Sequence, residues 1–509
     1  QNRYYRKVTA MNAAGEATES LLGNRPTSAS SYAPAMVRTQ SVDEGTGRLR
    51  SICVRLSGDV ANCSAPASSM TATNKIADIA YWYDVYDNLT QTQDVGLHLT
   101  PLGAPATTRL RETYAYDPLF RVTTVARGGD STGDVTSHGY DAIGNLKKKT
   151  DFSIDSDSAY VYSTAGKPYA VSRVSRPGGS TADVSYVYDA NGNLTKRQNY
   201  PTGYATTIHY DIDNRPRALD WSDTAQGATF SHRPDGSRYL QVQRLTANMV
   251  PTELVYSGKS YEREVGSAGV IERYYLPGGA LLVKQNGLST VSYLHADRLG
   301  SITVVTDAEG TVIEQRGFDP FGKPRDGNDW GNTGDNALNT PPTNAPRNRR
   351  GFTTHEHLDS FRLIHMNGRM FDFNLGRFYG VDPVIQFPEN SQSLNPYSYI
   401  LNNPLSGTDP TGYIACGDVG VDRPSTGTCD FMQGGKTTEI GYSVGNNGSV
   451  AVGGSRNLST LSGAVSFGVI NGADGMSVVG AQSGARSGAS SPATIGASGT
   501  SLRSQAASI

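Results

Sequence analysis

The sequence predicts an all-β protein made of short strands and tight turns, and three observations carry that prediction. Tyrosine dominates the aromatic residues, with 28 Tyr against 13 Phe and 3 Trp, and 57 Gly accompany it. Rings suit a pleated surface and glycine suits the turns between strands. A Tyr-Asp pair recurs along the chain, and alternating runs such as "DVSYVYDANGNL" end in turn residues.

At 509 residues the chain has room for about three domains, although repeat proteins evade that count. The formal net charge is −2, and the basic run Arg347, Arg349 and Arg350 is short, so no nucleic-acid partner is implied. No apolar run approaches the roughly 18 residues of a membrane helix. The chain starts at Gln1 without Met or a charged-then-apolar leader, and it reads as a piece of a longer polypeptide. Cys53 with Cys63 and Cys416 with Cys429 are spaced to close small loops in an oxidising compartment, four free thiols being the alternative.

In chain order, "YYRKVTAMNAAGEATES" alternates and turns at Gly15, so that residues 1–22 resemble the last two strands of a fibronectin type III domain with an unpaired edge. Residues 23–80 are rich in Ser, Ala, Thr and Pro and read as a linker around the weak strand "LRSICVRLS". From 81 the repeat takes over, with Tyr-Asp pairs at Tyr83, Tyr116, Tyr140, Tyr188 and Tyr210, and "VYSTAGK" as a degenerate copy in the long gap. The spacing is about 24 residues, one supersecondary unit repeated in line. Within a unit, Val184, Tyr186 and Tyr188 share a strand face, Asn191-Gly192 forms a tight hairpin turn, and Asp189 accepts hydrogen bonds from turn amides. Successive tyrosines are expected to stack from rung to rung.

These pairs, together with "YLHADRLGSITVVTDAEGTVIEQRGFDPFGKPR", "GFTTHEHLDSFRLIHMNGRMFDFNLGRFYGVDP" and "NPYSYILNNPLSGTDPTGY", resemble the YD repeats and C-terminal core segment of the Rhs (rearrangement hot spot) proteins over residues 81–413. The resemblance implies a spiralling antiparallel YD-repeat sheet over 81–325 forming a partial shell, closed by a turn-rich core plug at 351–413. It further implies a secreted or cell-surface protein whose shell holds its own C-terminal segment as cargo, often a toxin. An adhesive repeat protein, with Tyr-rich faces stacking on cell-surface glycans, is the alternative.

The same resemblance marks Asp382 and Asp409, each followed by proline, as a self-cleaving carboxylate pair, with Arg377 holding a carboxylate ionised and the cut falling between Tyr413 and Ile414. Such a site needs one carboxylate to activate water and a second group to protonate the leaving nitrogen. The chain departs from the family pattern at Val384 and Ile385, where Asp-Pro-x-Gly is usual, and at Tyr413, where Leu is usual. Turn formation alone also accounts for Asp-Pro-Thr-Gly at 409–412.

His355 and His357 lie on one strand face with His365 on the next segment, a weak metal constellation; the motif explains them without a metal, and no cofactor is expected. His295 with Asp297 reads as a hairpin-turn pair. Residues 326–350 lack any apolar period and read as a flexible loop. The tail, 414–509, has no His and no Trp and so lacks a convincing catalytic set, leaving self-cleavage in the core as the one enzymatic activity expected. Its alternation predicts two hairpins between about 436 and 482.

Overall fold

In the computed structural model the described residues are 5–23 (14 aside), 25–26, 32–57, 75–94, 110–128, 134–162, 166–199, 205–221, 227–244, 250–327, 330 and 348–417, with the backbone of further strands between 428 and 482. Almost every strand pairs antiparallel with its neighbours in sequence. A 10-stranded sheet runs from Arg6–Met11 to Leu146–Lys149, and a 16-stranded sheet from Tyr160–Tyr162 to Pro324–Asp326. Neither order returns to its first strand, so the sheets form an open shell and not a closed barrel. Among the described residues no helix is long and apolar enough to cross a membrane.

The ladder begins earlier than the repeat motif does. Where the sequence suggests a linker over 23–80, strands Met36–Val42, Leu49–Leu56 and Lys75–Tyr83 run within the first sheet. Met36, Ile52, Val54 and Ile76 are buried there, which is enough apolar surface to seat strands otherwise diluted by Ser and Thr. The pair Arg6–Met11 and Ala17–Leu22 is the opening hairpin of that sheet, since Ala17–Leu22 also pairs with Met36–Val42. Arg6–Met11 is its terminal strand. Cys53 and Cys416 are both disulfide-bonded; the side chains of Cys63 and Cys429 lie outside the described residues.

The Tyr-Asp motif is a turn device. Asp189 N–H donates to the Asn193 carbonyl at 2.9 Å, and its own carbonyl accepts Gly192 N–H at 3.2 Å. One carboxylate oxygen of Asp189 accepts Asn193 N–H at 2.8 Å and the other accepts Asn193 Nδ2 at 3.1 Å. Asp84, Asp117, Asp141, Asp211, Asp297, Asp307 and Asp319 accept the corresponding amide in the same way. The residue three places after each Asp is left-handed, as at Asp87 (φ 70), Phe120 (φ 62), Gly192 (φ 87) and Asn214 (φ 59). The two-residue Asn191-Gly192 turn expected from sequence is thus a longer loop. Of that pair only Gly192 has positive φ, and the register slips between Val187 and Tyr188 in a bulge.

The tyrosines link successive rungs through their hydroxyls, not through the ring stacking expected from sequence. Tyr83 donates to the Leu49 carbonyl at 3.0 Å, Tyr116 to Leu89 at 2.7 Å, Tyr140 to Val122 at 2.9 Å, Tyr162 to Leu146 at 2.7 Å and Tyr210 to Leu194 at 2.9 Å. Each bond ties a hairpin to the one before it, while the ring packs against the core.

Residues 348–417 pack against the shell. Phe361, Leu363, Met370, Leu375 and Tyr379 enter one apolar cluster with Leu146, Val184, Leu194 and Phe230 of the shell. A second cluster, Phe352, Ile364, Met366, Phe371, Phe378, Tyr399 and Ile400, belongs almost wholly to this segment. Arg349 and Arg350, in the predicted loop, pair with Glu264 at 3.2 Å and Glu262 at 3.0 Å; most of that loop lies outside the described residues. In the tail, Lys436–Val444 pairs with Val450–Val452 and Val465–Gly472 with Gly475–Gln482.

Replacing Asp189 with Ala removes the acceptors that close its turn, at a cost of about 2 kcal/mol. Amide hydrogen exchange at residues 192–194 is expected to speed up by about 30-fold with little change at the distant turn of Asp307. Unchanged protection at 192–194 would show that the carboxylate does not hold the turn.

Candidate active site: two aspartates bridged by Arg369

The plug docks on backbone carbonyls and asparagine side chains of the turns. Asn402 Nδ2 donates to the Gly144 carbonyl at 3.0 Å, Tyr397 hydroxyl to the Gly192 carbonyl at 2.6 Å, Asn395 Nδ2 to Asn145 Oδ1 at 2.9 Å and Asn403 Nδ2 to Asn88 Oδ1 at 3.1 Å. Gly192 is required there, because a Cβ would lie 2.6 Å from the Val381 side chain. The Asn- and Tyr-rich stretch at 395–403 therefore reads the turns of the shell.

Arg377 belongs to this docking. Its guanidinium donates to the Gly144 carbonyl at 2.9 Å and to Asn402 Oδ1. The cation that joins the two aspartates is Arg369, on strand Arg369–Asp372. Arg369 Nη2 lies 2.8 Å from Asp382 Oδ2 and 3.3 Å from Asp409 Oδ2. Its Nη1 donates to the Pro396 carbonyl at 3.1 Å, its Nε to the Gly412 carbonyl, and its guanidinium carbon sits 3.6 Å from the centroid of Phe378. Such a fully engaged guanidinium holds two carboxylates at fixed separation. Sequence reasoning missed it, although an arginine in the apolar stretch "LIHMNGRMFDF" must find a carboxylate once buried.

Asp409 stands at the base of a loop closed by pairing of Thr408 with Cys416. Its Oδ1 accepts Tyr413 N–H at 2.9 Å and Ile414 N–H at 3.0 Å. The Tyr413–Ile414 peptide bond is thereby folded back onto a buried carboxylate of its own loop. Gly412 permits the fold, with φ +79 and no room for a Cβ, which would meet the Met366 carbonyl at 2.1 Å. The Tyr413 ring lies over Gly368, and its hydroxyl donates to the Gly368 carbonyl at 3.1 Å.

Asp382 faces the same space from the other side. Burial pushes its carboxyl up to about 6, with Asp409 acting in the same direction and Arg369 and the Val384 N–H against it. A cavity of about 240 Å³ is bordered by Asp382, Asp409, Arg369, Tyr413 and Ala415, large enough for water. Two carboxylates, one of them 3.0 Å from a peptide nitrogen, both bordering a cavity that can hold water, are the groups that peptide hydrolysis requires.

The histidines do not converge. His355 Nδ1 bonds Thr353 Oγ1 at 2.8 Å, His357 Nε2 accepts Phe352 N–H at 3.0 Å, and His365 packs edge-on against Phe230. Among the described residues no group of three His, Cys, Asp or Glu could hold a metal. His295 bonds Thr306 Oγ1 at 3.0 Å, while Asp297 closes its own turn.

This open, turn-docked ladder with an internal plug has counterparts among known proteins. No family model matches the chain. The tRNA(Glu)-specific nuclease WapA of Bacillus subtilis subsp. natto is 22% identical over 235 residues, 45% of this chain and 9% of that protein. A crystal structure of TcdB2-TccC3-TEV aligns with a TM-score of 0.55 at 15% identity, covering 80% of this chain and 20% of that one. The Tc holotoxin pore of Photorhabdus luminescens gives a TM-score of 0.49 at 13% identity, over 82% of this chain and 20% of that one. The fold is that of the Rhs/YD-repeat shells, the family that the sequence motifs resemble. The chain spans a fifth or less of the length of these relatives.

Arg369→Met strands two carboxylates and is expected to cost about 3 kcal/mol near neutral pH. Arg369 lowers the Asp382 pKa, so its loss raises that pKa further above its unfolded value. The folded variant then binds protons more readily than the unfolded one, and its stability recovers as pH falls from 7 to 5. Denaturant melts at pH 7.5 and 5 check this; a deficit independent of pH would mean that the lost ion pairs are not its cause.

Proposed function

We propose that this chain is the closing part of a β-shell scaffold for a C-terminal cargo, and that it releases the cargo by cutting its own backbone between Tyr413 and Ile414. One observation carries the reading: Asp409 Oδ1 lies 3.0 Å from the Ile414 nitrogen, while Arg369 ties Asp409 to Asp382. The shell part rests on the fold, on a plug that leads directly into the tail, and on a relative described as a tRNA(Glu)-specific nuclease. Disulfides at Cys53 and Cys416 favour an extracellular or cell-surface setting.

The roles follow from the positions. Asp409 takes a proton from a water in the cavity as the water oxygen attacks the Tyr413 carbonyl carbon. Asp382, which keeps its proton up to about pH 6, supplies that proton to the carbonyl oxygen. Asp409 passes the water's proton to the Ile414 nitrogen, the C–N bond breaks, and Asp382 recovers its proton as the Tyr413 carboxylic acid forms, whose remaining proton passes to the released amine. Arg369 fixes both carboxylates throughout. Arg377 acts at a distance by seating the plug. The adhesive alternative calls for exposed rows of tyrosine, whereas Tyr83, Tyr116, Tyr140, Tyr162 and Tyr210 direct their hydroxyls to backbone carbonyls.

Intact-mass measurement is the test. The wild-type chain is expected to yield a fragment ending at Tyr413 and one beginning at Ile414, while Asp382→Asn and Asp409→Asn stay whole. The rate is expected to fall about tenfold per pH unit above 6 as Asp382 loses its proton. A wild-type chain uncut after long incubation between pH 5 and 8 would end the cleavage reading, and a rate climbing through pH 6 would exchange the two roles.

A further inference from the structure

We infer that Gln386 is a positioning residue for this cleavage, holding the leaving side of the bond, an inference that rests on the self-cleavage reading and extends it. Gln386 Nε2 donates to the Ala415 carbonyl at 2.8 Å, and Gln386 Oε1 accepts the Ala415 N–H at 2.9 Å. The side-chain amide thus pairs with both polar groups of one residue's backbone, as a neighbouring strand would. Ala415 follows Ile414, whose nitrogen is the leaving group, so the clamp fixes the second residue on the leaving side.

The clamp and a catalytic carboxylate share one loop. Asp382 N–H donates to the Pro396 carbonyl at 3.0 Å, Asp382 Oδ1 accepts Val384 N–H at 2.9 Å, and Phe387 N–H bonds Ser393 Oγ at 3.0 Å, so Gln386 sits in a braced segment. Asp409 grips the amides of Tyr413 and Ile414 from one side, and Gln386 grips Ala415 from the other. Rotation that would carry the Ile414 nitrogen away from Asp409 requires the Gln386 pair to break. This segment is also where the chain departs from Asp-Pro-x-Gly: the Val384-Ile385 sequence replaces the glycine turn and leads into Gln386.

The test uses the full chain and compares wild type, Gln386→Ala and Gln386→Glu by the rate of appearance of the Ile414 terminus. Gln386→Ala is expected to cut at the same bond about 10- to 100-fold more slowly, the loss that accompanies two hydrogen bonds and a slightly misplaced reacting group. Gln386→Glu is expected to be slow at pH 7, where an ionised carboxylate meets the Ala415 carbonyl. It recovers toward pH 4.5, because a protonated carboxyl offers one donor and one acceptor, as the amide does. The rate is read as a ratio to wild type at each pH, so the titration of Asp382 cancels. That recovery occurs within one preparation and separates positioning from a folding defect, should Gln386→Ala fold poorly. Wild-type rates in Gln386→Ala, or a Gln386→Glu ratio flat with pH, overturn the inference and leave Asp382 and Asp409 in place. A wild-type chain that never cuts overturns both readings.

Discussion

In each Tyr-Asp turn the aspartate carboxylate accepts hydrogen bonds from amides of its own loop, and the rest of the molecule is arranged around that closure. A hairpin loop beside a packed plug cannot rely on water for every amide, so the acceptor has to come from the loop itself. The carboxylate does this locally and leaves the carbonyl at the left-handed position available to the plug. Those carbonyls, at Gly144 and Gly192, are what Asn402, Arg377 and Tyr397 bind. The repeat therefore makes both the shell and the surface on which the plug rests.

The plug in turn creates the electrostatic conditions of the site. Burying Asp382 and Asp409 together would be prohibitive without a cation, and Arg369 is available because the next residue, Met370, packs with the shell cluster while Arg369 meets the loop that bears Asp409. The guanidinium is itself held by the Pro396 and Gly412 carbonyls and by the Phe378 ring, so it adds little disorder to the pair. Partial compensation leaves Asp382 titrating near 6, a carboxyl that can hold or give a proton close to neutrality.

Much of the fold was legible because strand alternation and the Tyr-Asp spacing are local signals. Of the strands between 36 and 83, only Leu49–Leu56 was read, as a weak one; Met36–Val42 and Lys75–Tyr83 were not, since Ser and Thr interrupt the alternation and burial there comes from packing against Ala280, Tyr293 and Val304, far along the chain. Asp382 and Asp409 could be singled out from their Asp-Pro context, and the loop geometry brings them to one guanidinium. The choice of arginine was not legible: Arg377 is close to Asp382 in sequence, but strand pairing of Asp372 with Arg377 aims it at the turn of Gly144. Arg369 reaches both carboxylates through tertiary contacts that no spacing encodes. The tight turn expected at Asn191-Gly192 failed for a local reason: the Asp189 carboxylate favours a wider loop, with only its fourth residue left-handed.

Strands that pair with their neighbours in sequence also impose an order of assembly. Each hairpin can close as soon as its own residues are available, so the wall can grow hairpin by hairpin with little chain to search. Asn395, Asn402 and Asn403 cannot dock until turns as distant as those at Asn145, Gly144 and Asn88 exist. The loop of Tyr413 and Ile414 meets Arg369 later still, when the plug is seated. The surroundings of that bond are thus assembled only once the wall is complete, an order written into topology.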